Sequence, residues 1–156
     1  MKKKLAALTL ILILVLSSFS AFAANTAFSD VAPDSWYYDS VENAVKNGFM
    51  NGISDTEFAP ETEITRGMFV TALGRTLNAA PGTEYQFDDV DRNAYYSPYI
   101  AWAAENGIVQ GMDGDTFAPD DDITREQMAV MLENVFQYEG IDISADSTPL
   151  IYSDAD

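Results

Sequence analysis

The strongest constraint on the fold is an internal repeat with an offset of 59 residues. The segment Phe-Ser-Asp-Val at 28–31 recurs as Phe-Asp-Asp-Val at 87–90, and 15 of the 46 aligned positions from residue 28 onward are identical. These identities fall mainly at glycine, proline, aromatic and helix-boundary positions. Self-similarity at a fixed period is typical of folds whose neighbouring units cover each other's apolar faces. The sequence therefore predicts two copies of one unit, packed side by side.

The first half of each copy predicts a helix. In the first copy, apolar residues recur with helical spacing from Tyr37 to Val45, and Gly48 follows as the expected left-handed residue after the helix. We expect Asp34 or Ser35 to cap this helix at its N-terminus.

The second half of each copy predicts a loop and another helix. Thr65 and Thr124 precede apolar runs with helical spacing, and Thr124 with Gln127 has the spacing of a capping box. The loop carries Phe-Ala-Pro at 58–60 and again at 117–119, where the aromatic ring is expected to fill the core. Neither copy shows the sustained alternation of a β-strand, so the sequence predicts an all-α fold of helix-loop-helix units.

The N-terminus has the features of a secretory signal peptide. Lysines at 2–4 precede an apolar run at 5–16, and small residues stand at Ala21 and Ala23 before the expected cleavage site. The alternative is an uncleaved membrane anchor, but an apolar helix of about 12 residues spans only about 18 Å of a roughly 30 Å hydrocarbon core. We predict a signal peptide over 1–23, followed by a mature chain that needs no membrane.

The charge and composition of the mature chain exclude several classes of protein. Loss of the three signal lysines leaves 5 basic residues against 25 acidic ones, a net charge of about −20. Nucleic acid and anionic lipid would repel such a chain. Neither cysteine nor histidine is present, which removes disulfides, thiol nucleophiles, histidine triads and most zinc sites. Carboxylate chemistry remains possible for an enzyme, but none of the 25 acidic residues stands out by its surroundings, so we expect no enzyme and no cofactor in these residues.

Beyond the signal peptide, the predicted organisation is a first repeat at 25–83, a second repeat at 84–147 and the start of a third at 148–156. The third assignment rests on Tyr-Ser-Asp at 152–154, which resembles Phe-Asp-Asp at 87–89. We expect this third repeat to be truncated; the alternative is a degenerate tail.

The ordered motifs resemble those of the S-layer homology (SLH) domain. They are Phe-x-Asp-Val, an aromatic pair, Gly-x-x-x-Gly, Phe-x-Pro and Ile-Thr-Arg; both copies contain all of them, and the resemblance covers about residues 25–137. It implies that three repeats form a pseudo-threefold bundle, incomplete here. It also implies a secreted protein held at the bacterial cell wall or S-layer by non-covalent binding of secondary cell-wall polymer, often pyruvylated, that is attached to peptidoglycan. Other S-layer subunits are possible partners.

The resemblance and the residues together give candidate binding residues. Thr65, Arg66, Thr124 and Arg125 place a guanidinium at the positive end of a helix, where it suits a carboxylate or phosphate. The alternative is a structural ion pair between each arginine and an aspartate of the Phe-x-Asp-Val motifs, and both roles could hold.

The motif also departs from the family pattern. The family usually continues Thr-Arg-Ala-Glu, whereas the first copy continues with Gly67 and Met68, so we expect its groove to bind more weakly. Trp36 and Tyr95 could stack on sugar rings, or they could be partly buried core aromatics. Trp102 has no aromatic counterpart and is interpreted as a packing residue.

Two other functions stay open at this point. Acidic runs at 113–115 and 120–122 suggest a calcium-stabilised module that assembles with itself, although the loop lacks the oxygen ligand and glycine that an EF-hand needs at its fifth and sixth positions. The chain could also be the anchoring end of a larger secreted hydrolase.

Overall fold

The computed structural model describes residues 28–143. Within that range the chain forms four helices, α1 Tyr38–Lys46, α2 Arg66–Thr76, α3 Ser97–Glu105 and α4 Arg125–Tyr138. Extended pairing among these residues is limited to isolated bridges, so the all-α prediction is confirmed. In residues 28–143, no helix is both long and apolar enough to cross a bilayer.

The predicted caps of α2 and α4 are confirmed. The Thr65 hydroxyl accepts a hydrogen bond from the Met68 N–H at 3.3 Å. The Thr124 hydroxyl accepts from the Gln127 N–H at 3.3 Å, while the Gln127 side chain accepts from the Thr124 N–H at 3.2 Å. This reciprocal capping box satisfies two N–H groups that the helix itself leaves unpaired.

The predicted cap of α1 is wrong. Neither Asp34 nor Ser35 caps this helix, and Tyr37 occupies the N-cap position without a side-chain hydrogen bond. The Ser35 hydroxyl instead donates to the Ala32 carbonyl at 2.7 Å, and the Ser35 carbonyl accepts from Tyr38 N–H. Ser35 therefore belongs to the turn that precedes the helix.

The two glycines after α1 and α3 adopt the expected left-handed conformation. Gly48 has a φ of +74° and Gly107 a φ of +69°, and both allow the chain to leave its helix. The equivalent dihedrals show that the repeat in sequence is a repeat in backbone conformation.

Packing does not follow the repeat boundary. The larger apolar cluster joins second-repeat residues such as Ile100 and Phe117 to Val70 of α2, which belongs to the first repeat. The smaller cluster contains Phe28, Val31 and Val41, with Phe58 packed against it. Helix α2 therefore completes the core of the second repeat.

Several predictions lie outside the described residues. The signal peptide at 1–23 and the third repeat at 148–156 are among them, as are the outer ends of both predicted repeats. The pseudo-threefold arrangement stays a prediction.

Candidate functional site

The loop of each repeat is fixed by the aspartate of its Phe-x-Asp-Val motif. Asp30 accepts from the Phe58 N–H at 2.9 Å and from the Ala59 N–H at 2.6 Å. The Phe58 N–H is the main cause that lowers the pKa of Asp30, with a further contribution from Ala59. The carboxylate thus has a structural task within its own repeat.

Asp89 fixes the loop of the second repeat in the same way. It accepts from Phe117 N–H at 2.8 Å and from Ala118 N–H at 2.7 Å. The two loops share one backbone design, since Ala59 and Ala118 have φ values of +60° and +59°.

Arg66 crosses from the first repeat to the second. Its side chain is only 2% exposed, its Nε donates to the Phe117 carbonyl at 2.9 Å, and its Cζ lies 4.5 Å from the centroid of the Phe117 ring. Its backbone N–H donates to the Asp121 carbonyl at 2.9 Å. Burial lowers the pKa of Arg66, and the nearby carboxylates of Asp121 and Asp89 oppose that shift. Arg66 thus joins the two repeats.

Gly67 adds to the contact between the two repeats. Its N–H donates to the Pro119 carbonyl at 2.8 Å, and a Cβ at this position would lie 3.0 Å from that oxygen and from Cδ1 of Tyr96. The first repeat's departure from Thr-Arg-Ala-Glu therefore coincides with close packing of α2 on the second repeat.

Arg125 occupies the equivalent position in α4 but has a different environment. Its side chain is exposed, and among residues 28–143 it forms no hydrogen bond, ion pair or ring contact. The loop that would receive it by analogy with Arg66 would belong to a following repeat. Within residues 28–143, the Arg125 side chain therefore lies exposed at the positive end of α4.

The two candidate aromatic residues are exposed. Trp36 is 92% exposed and Tyr95 is 52% exposed, and each packs edge-on against the tyrosine that follows it. Trp102 is buried and packs against Tyr138, as expected for a packing residue.

A groove of about 400 Å³ lies between α2 and the loop of the first repeat, and Tyr95 of the second repeat lines it as well. We call it the repeat-1 groove. Its wall includes Phe49, Phe58 and Met68, and its polar groups include Glu63 and Arg75. The groove thus combines apolar surface, a half-exposed aromatic ring and a cation.

The second repeat has a corresponding groove of about 320 Å³, which we call the repeat-2 groove. It runs along α4 and the loop at 108–112, and Glu126 and Asn134 contribute polar groups. Arg66 also lines it, but with its guanidinium committed to Phe117.

The structure brings some predicted residues together and separates others. Tyr95 lines the repeat-1 groove, whereas Arg66 faces the interior and Arg125 the solvent. The sequence reasoning did not single out Arg75, which lies in the last turn of α2, outside the Thr-Arg motif. The sequence does contain one signal for Arg75: the repeat offset aligns it with the neutral Asn134, so the two repeats differ in charge at this position.

The acidic runs do not assemble into a metal site within the described range. In residues 28–143, no group of three or more acidic side chains is placed to hold a metal ion.

Known proteins resemble this chain over a part of their length. An endoglucanase of Bacillus sp. (strain KSM-635) is 34% identical over 163 residues, which cover 98% of this chain and 17% of that enzyme. The surface-layer 125 kDa protein of Lysinibacillus sphaericus is 30% identical over 128 residues, 81% of this chain and 11% of that protein. An endo-1,4-beta-xylanase A of Thermoanaerobacterium saccharolyticum is 33% identical over 110 residues, 69% of this chain and 9% of that enzyme. This chain spans less than a fifth of each of these relatives.

The family comparison agrees with the repeat. The S-layer homology domain matches residues 27–67 and 86–129, more than half of the chain and once in each predicted repeat. Two helix-loop-helix copies with the same loop geometry, the same threonine-capped helices and these matches show that the chain belongs to the S-layer homology domain family.

Proposed function

We propose that this chain anchors a secreted protein to the bacterial cell wall by binding secondary cell-wall polymer, an anionic glycan attached to peptidoglycan. The observation that carries the proposal is the repeat-1 groove, which lies in the first SLH repeat, is lined also by Tyr95 of the second, and has both an aromatic ring and a cation. Relatives named as surface-layer proteins and as polysaccharide-degrading enzymes support a location at the cell surface.

The proposed contacts use two kinds of chemistry. The exposed ring of Tyr95, and that of Trp36, offer an apolar face to the C–H side of a sugar. Thr124 and Arg125 present backbone N–H groups and a guanidinium at the positive end of α4, where an acid group of the polymer can bind. Thr65 and Arg66 act indirectly, because the buried Arg66 fixes the two repeats that form the groove.

Co-sedimentation with purified wall sacculi tests this function. Residues 24–156 should sediment with native sacculi and should stay in solution when the polymer has been chemically removed. Equal binding to native and stripped walls would contradict the proposal.

Arg125→Ala tests the proposed anion contact. It should weaken binding by about 1.5–3 kcal/mol, the range for hydrogen bonds to charged groups. Arg92→Ala is the matched control, because Arg92 is also exposed but stacks on the Tyr85 ring instead of lying at a helix N-terminus.

The SLH repeats have no catalytic role in this proposal. The match to enzymes falls on their SLH region, and SLH domains act as anchors. Relatives named as hydrolases make a secreted hydrolase a reasonable cargo, and the coding sequence downstream of residue 156 tests that alternative.

Calorimetry with calcium and with a chelator tests the calcium-stabilised alternative, which predicts a large calcium-dependent rise in melting temperature.

A further inference from the structure

The chain contains Asn-Gly pairs at 47–48, 51–52 and 106–107. An asparagine followed by glycine is open to spontaneous deamidation, because glycine has no side chain to shield its backbone nitrogen and adopts the required conformation readily. In this reaction the glycine nitrogen attacks the side-chain carbonyl carbon of the asparagine. The hydrogen bonds of these two groups in the fold therefore decide which pair reacts.

The pairs that follow α1 and α3 are protected. The Gly48 N–H donates to the Val45 carbonyl at 3.0 Å, and the Asn47 side-chain amide donates to the Asn43 carbonyl at 2.7 Å. The pair at 106–107 forms the two equivalent hydrogen bonds, at 3.1 Å and 2.8 Å. Both the attacking nitrogen and the attacked amide are thus held by the end of a helix.

The pair at 51–52 lacks this protection. Among residues 28–143, the Gly52 N–H donates to no acceptor, and Asn51 is exposed. Packing nevertheless requires glycine here, since a Cβ on Gly52 would overlap the Phe28 ring. The attacking nitrogen is therefore unbonded, and it follows an asparagine that solvent reaches.

The Asn51 carbonyl also faces a cation. With its oxygen turned toward Arg75, the Asn51 amide accepts from Nη1 at 3.2 Å and donates to the Met50 carbonyl at 3.1 Å. Within the part of the chain that the structure describes, no carboxylate forms an ion pair with Arg75. Attack on Cγ places negative charge on the amide oxygen, and a guanidinium within hydrogen-bonding distance stabilises that charge.

We propose that Asn51 is a deamidation site, and that its conversion to a carboxylate turns the contact with Arg75 into an ion pair. In the first step the Gly52 nitrogen gives its proton to water and bonds to Cγ of Asn51. The Cγ–Nδ2 bond breaks, and ammonia leaves with the proton that water returns. The product is a succinimide ring.

Water then opens this ring. Its hydroxyl group adds to one carbonyl carbon of the ring, the bond from that carbon to the Gly52 nitrogen breaks, and the remaining proton goes to the nitrogen. Addition at Cγ gives aspartate, and addition at the backbone carbonyl carbon gives isoaspartate. One amide and one water thus become one acid and one ammonia, without an oxidant or a reductant.

The new carboxylate would offset the charge of Arg75 in the repeat-1 groove. The equivalent pair in the second repeat is Gln110-Gly111, and Asn134 stands there in place of Arg75. Glutamine reacts more slowly in this way because its longer side chain must close a larger ring. We therefore expect the change of charge in the repeat-1 groove and not in its counterpart. The inference goes beyond the proposed function, since deamidation is measured in the free chain.

Peptide mapping of the full mature chain tests the proposal. The folded protein is incubated at mildly alkaline pH, and mass spectrometry that separates aspartate from isoaspartate gives the rate at each asparagine. Asn51 should deamidate about 10-fold faster than Asn47 and Asn106, because the slower sites must first break hydrogen bonds. Equal rates in the folded chain, or a slower rate at Asn51, would overturn the proposal.

Urea separates the effect of the fold from that of the local sequence. In concentrated urea the three rates should converge, because all three sites lose their hydrogen bonds and Asn51 loses its contact with Arg75. Rates that kept the same ratio in urea would assign the difference to the neighbouring residues and would overturn the structural explanation.

Arg75→Gln tests the part that the cation plays. It should slow the reaction at Asn51 by about 3- to 10-fold, and the rates at Asn47 and Asn106 should stay unchanged if the fold is intact. Arg92→Gln is the matched control, because Arg92 is also exposed but stacks on the Tyr85 ring. An Asn51 rate that is unchanged in Arg75→Gln, or slowed equally in Arg92→Gln, would show that Arg75 does not assist the reaction.

Asn51→Asp tests the product. Its carboxylate should pair with Arg75 and raise the pKa of Tyr95, because the charge of Arg75 acts to lower that pKa in the wild type. Gln110→Glu adds the same charge at the equivalent position of the second repeat and should shift the pKa of Tyr95 less. Equal shifts in the two variants, measured by NMR titration, would overturn the ion pair.

Discussion

The arginine of the Thr-Arg motif lies in two different environments, one at Arg66 and the other at Arg125. Both directly follow a threonine N-cap, and both begin a helix. Arg66 meets the loop of the next repeat and is buried, whereas Arg125 stays exposed. Within residues 28–143, contact with the loop of another repeat, rather than the motif, distinguishes the two environments.

This difference predicts unequal effects on stability. Arg66→Ala removes the hydrogen bond to the Phe117 carbonyl and the contact with its ring, so it should cost about 2–4 kcal/mol of unfolding free energy. Arg125→Ala removes an exposed, unpaired side chain and should change stability by less than about 0.5 kcal/mol. Urea denaturation of both variants measures the two values. Equal losses would show that Arg66 does not join the repeats energetically.

Tyr95 reports whether Arg75 is near it in solution. The positive charge of Arg75 favours the phenolate, so Arg75→Gln should raise the pKa of Tyr95 above its wild-type value. NMR titration of isotope-labelled tyrosine measures it, and Tyr95→Phe assigns the resonance. An unchanged or lower pKa would contradict the position of Arg75 beside Tyr95 in the repeat-1 groove.

At the scale of structural elements, the loop of the first repeat is held by one carboxylate, that of Asp30. Because hydrogen bonds from Phe58 and Ala59 lower the pKa of Asp30 in the folded chain, its ionised form stabilises the fold above the unfolded pKa. That contribution is lost as the pH falls through the folded pKa, below the ordinary value of 3.8.

Asp30→Asn tests this linkage. The wild type should lose more stability than the variant between about pH 5 and pH 2, whereas the difference between them should be constant near neutral pH. Urea midpoints over that range measure both curves. Parallel curves through the acid range would contradict the assignment.

Helices α2 and α3 pack across the repeat boundary because Gly74 has no side chain. A Cβ on Gly74 would lie 2.5 Å from Cδ1 of Tyr99. Alanine would improve helix propensity by about 1 kcal/mol, but displacing a packed ring costs about 1–3 kcal/mol. We expect Gly74→Ala to lower the melting temperature, with the exposed Thr76→Ala as a control near wild type. A rise in melting temperature would show that Tyr99 moves at little cost.

Local signals predicted most of these elements. Threonine caps, left-handed glycines and helical apolar spacing depend on residues within a few positions, so the four helices and both Phe-Ala-Pro loops could be expected from the sequence. The α1 cap was missed because Ser35 has two local uses, capping and turn formation, and spacing alone does not choose between them.

The candidate site was less predictable. Arg66 and Arg125 both follow an Ile-Thr pair, and this shared motif does not show which arginine becomes buried by packing against another repeat. Arg75 belongs to none of the repeated motifs. Its position in the groove is therefore visible only in the packing of α2 beside Tyr95.

At the scale of the whole molecule, the two apolar clusters differ in size. Among residues 28–143, ten buried residues form the cluster that joins α2, α3 and α4, whereas three form the cluster under α1. Stability within one chain follows the local density of buried apolar contacts. The α1 end should therefore open more readily than the rest of the described fold, although both ends carry the same SLH motifs.

Hydrogen exchange tests this asymmetry directly. Amides of α1 should exchange faster than those of α3, because opening the smaller cluster exposes fewer buried side chains. Val41→Ala should accelerate exchange around α1 by weakening that cluster by about 1–3 kcal/mol while leaving α3 near wild type. Ile100→Ala, in the larger cluster, should accelerate exchange in α2, α3 and α4 together. If Val41→Ala accelerated every helix equally, the two clusters would form one cooperative unit, and the α1 end would be as firmly held as the inter-repeat core.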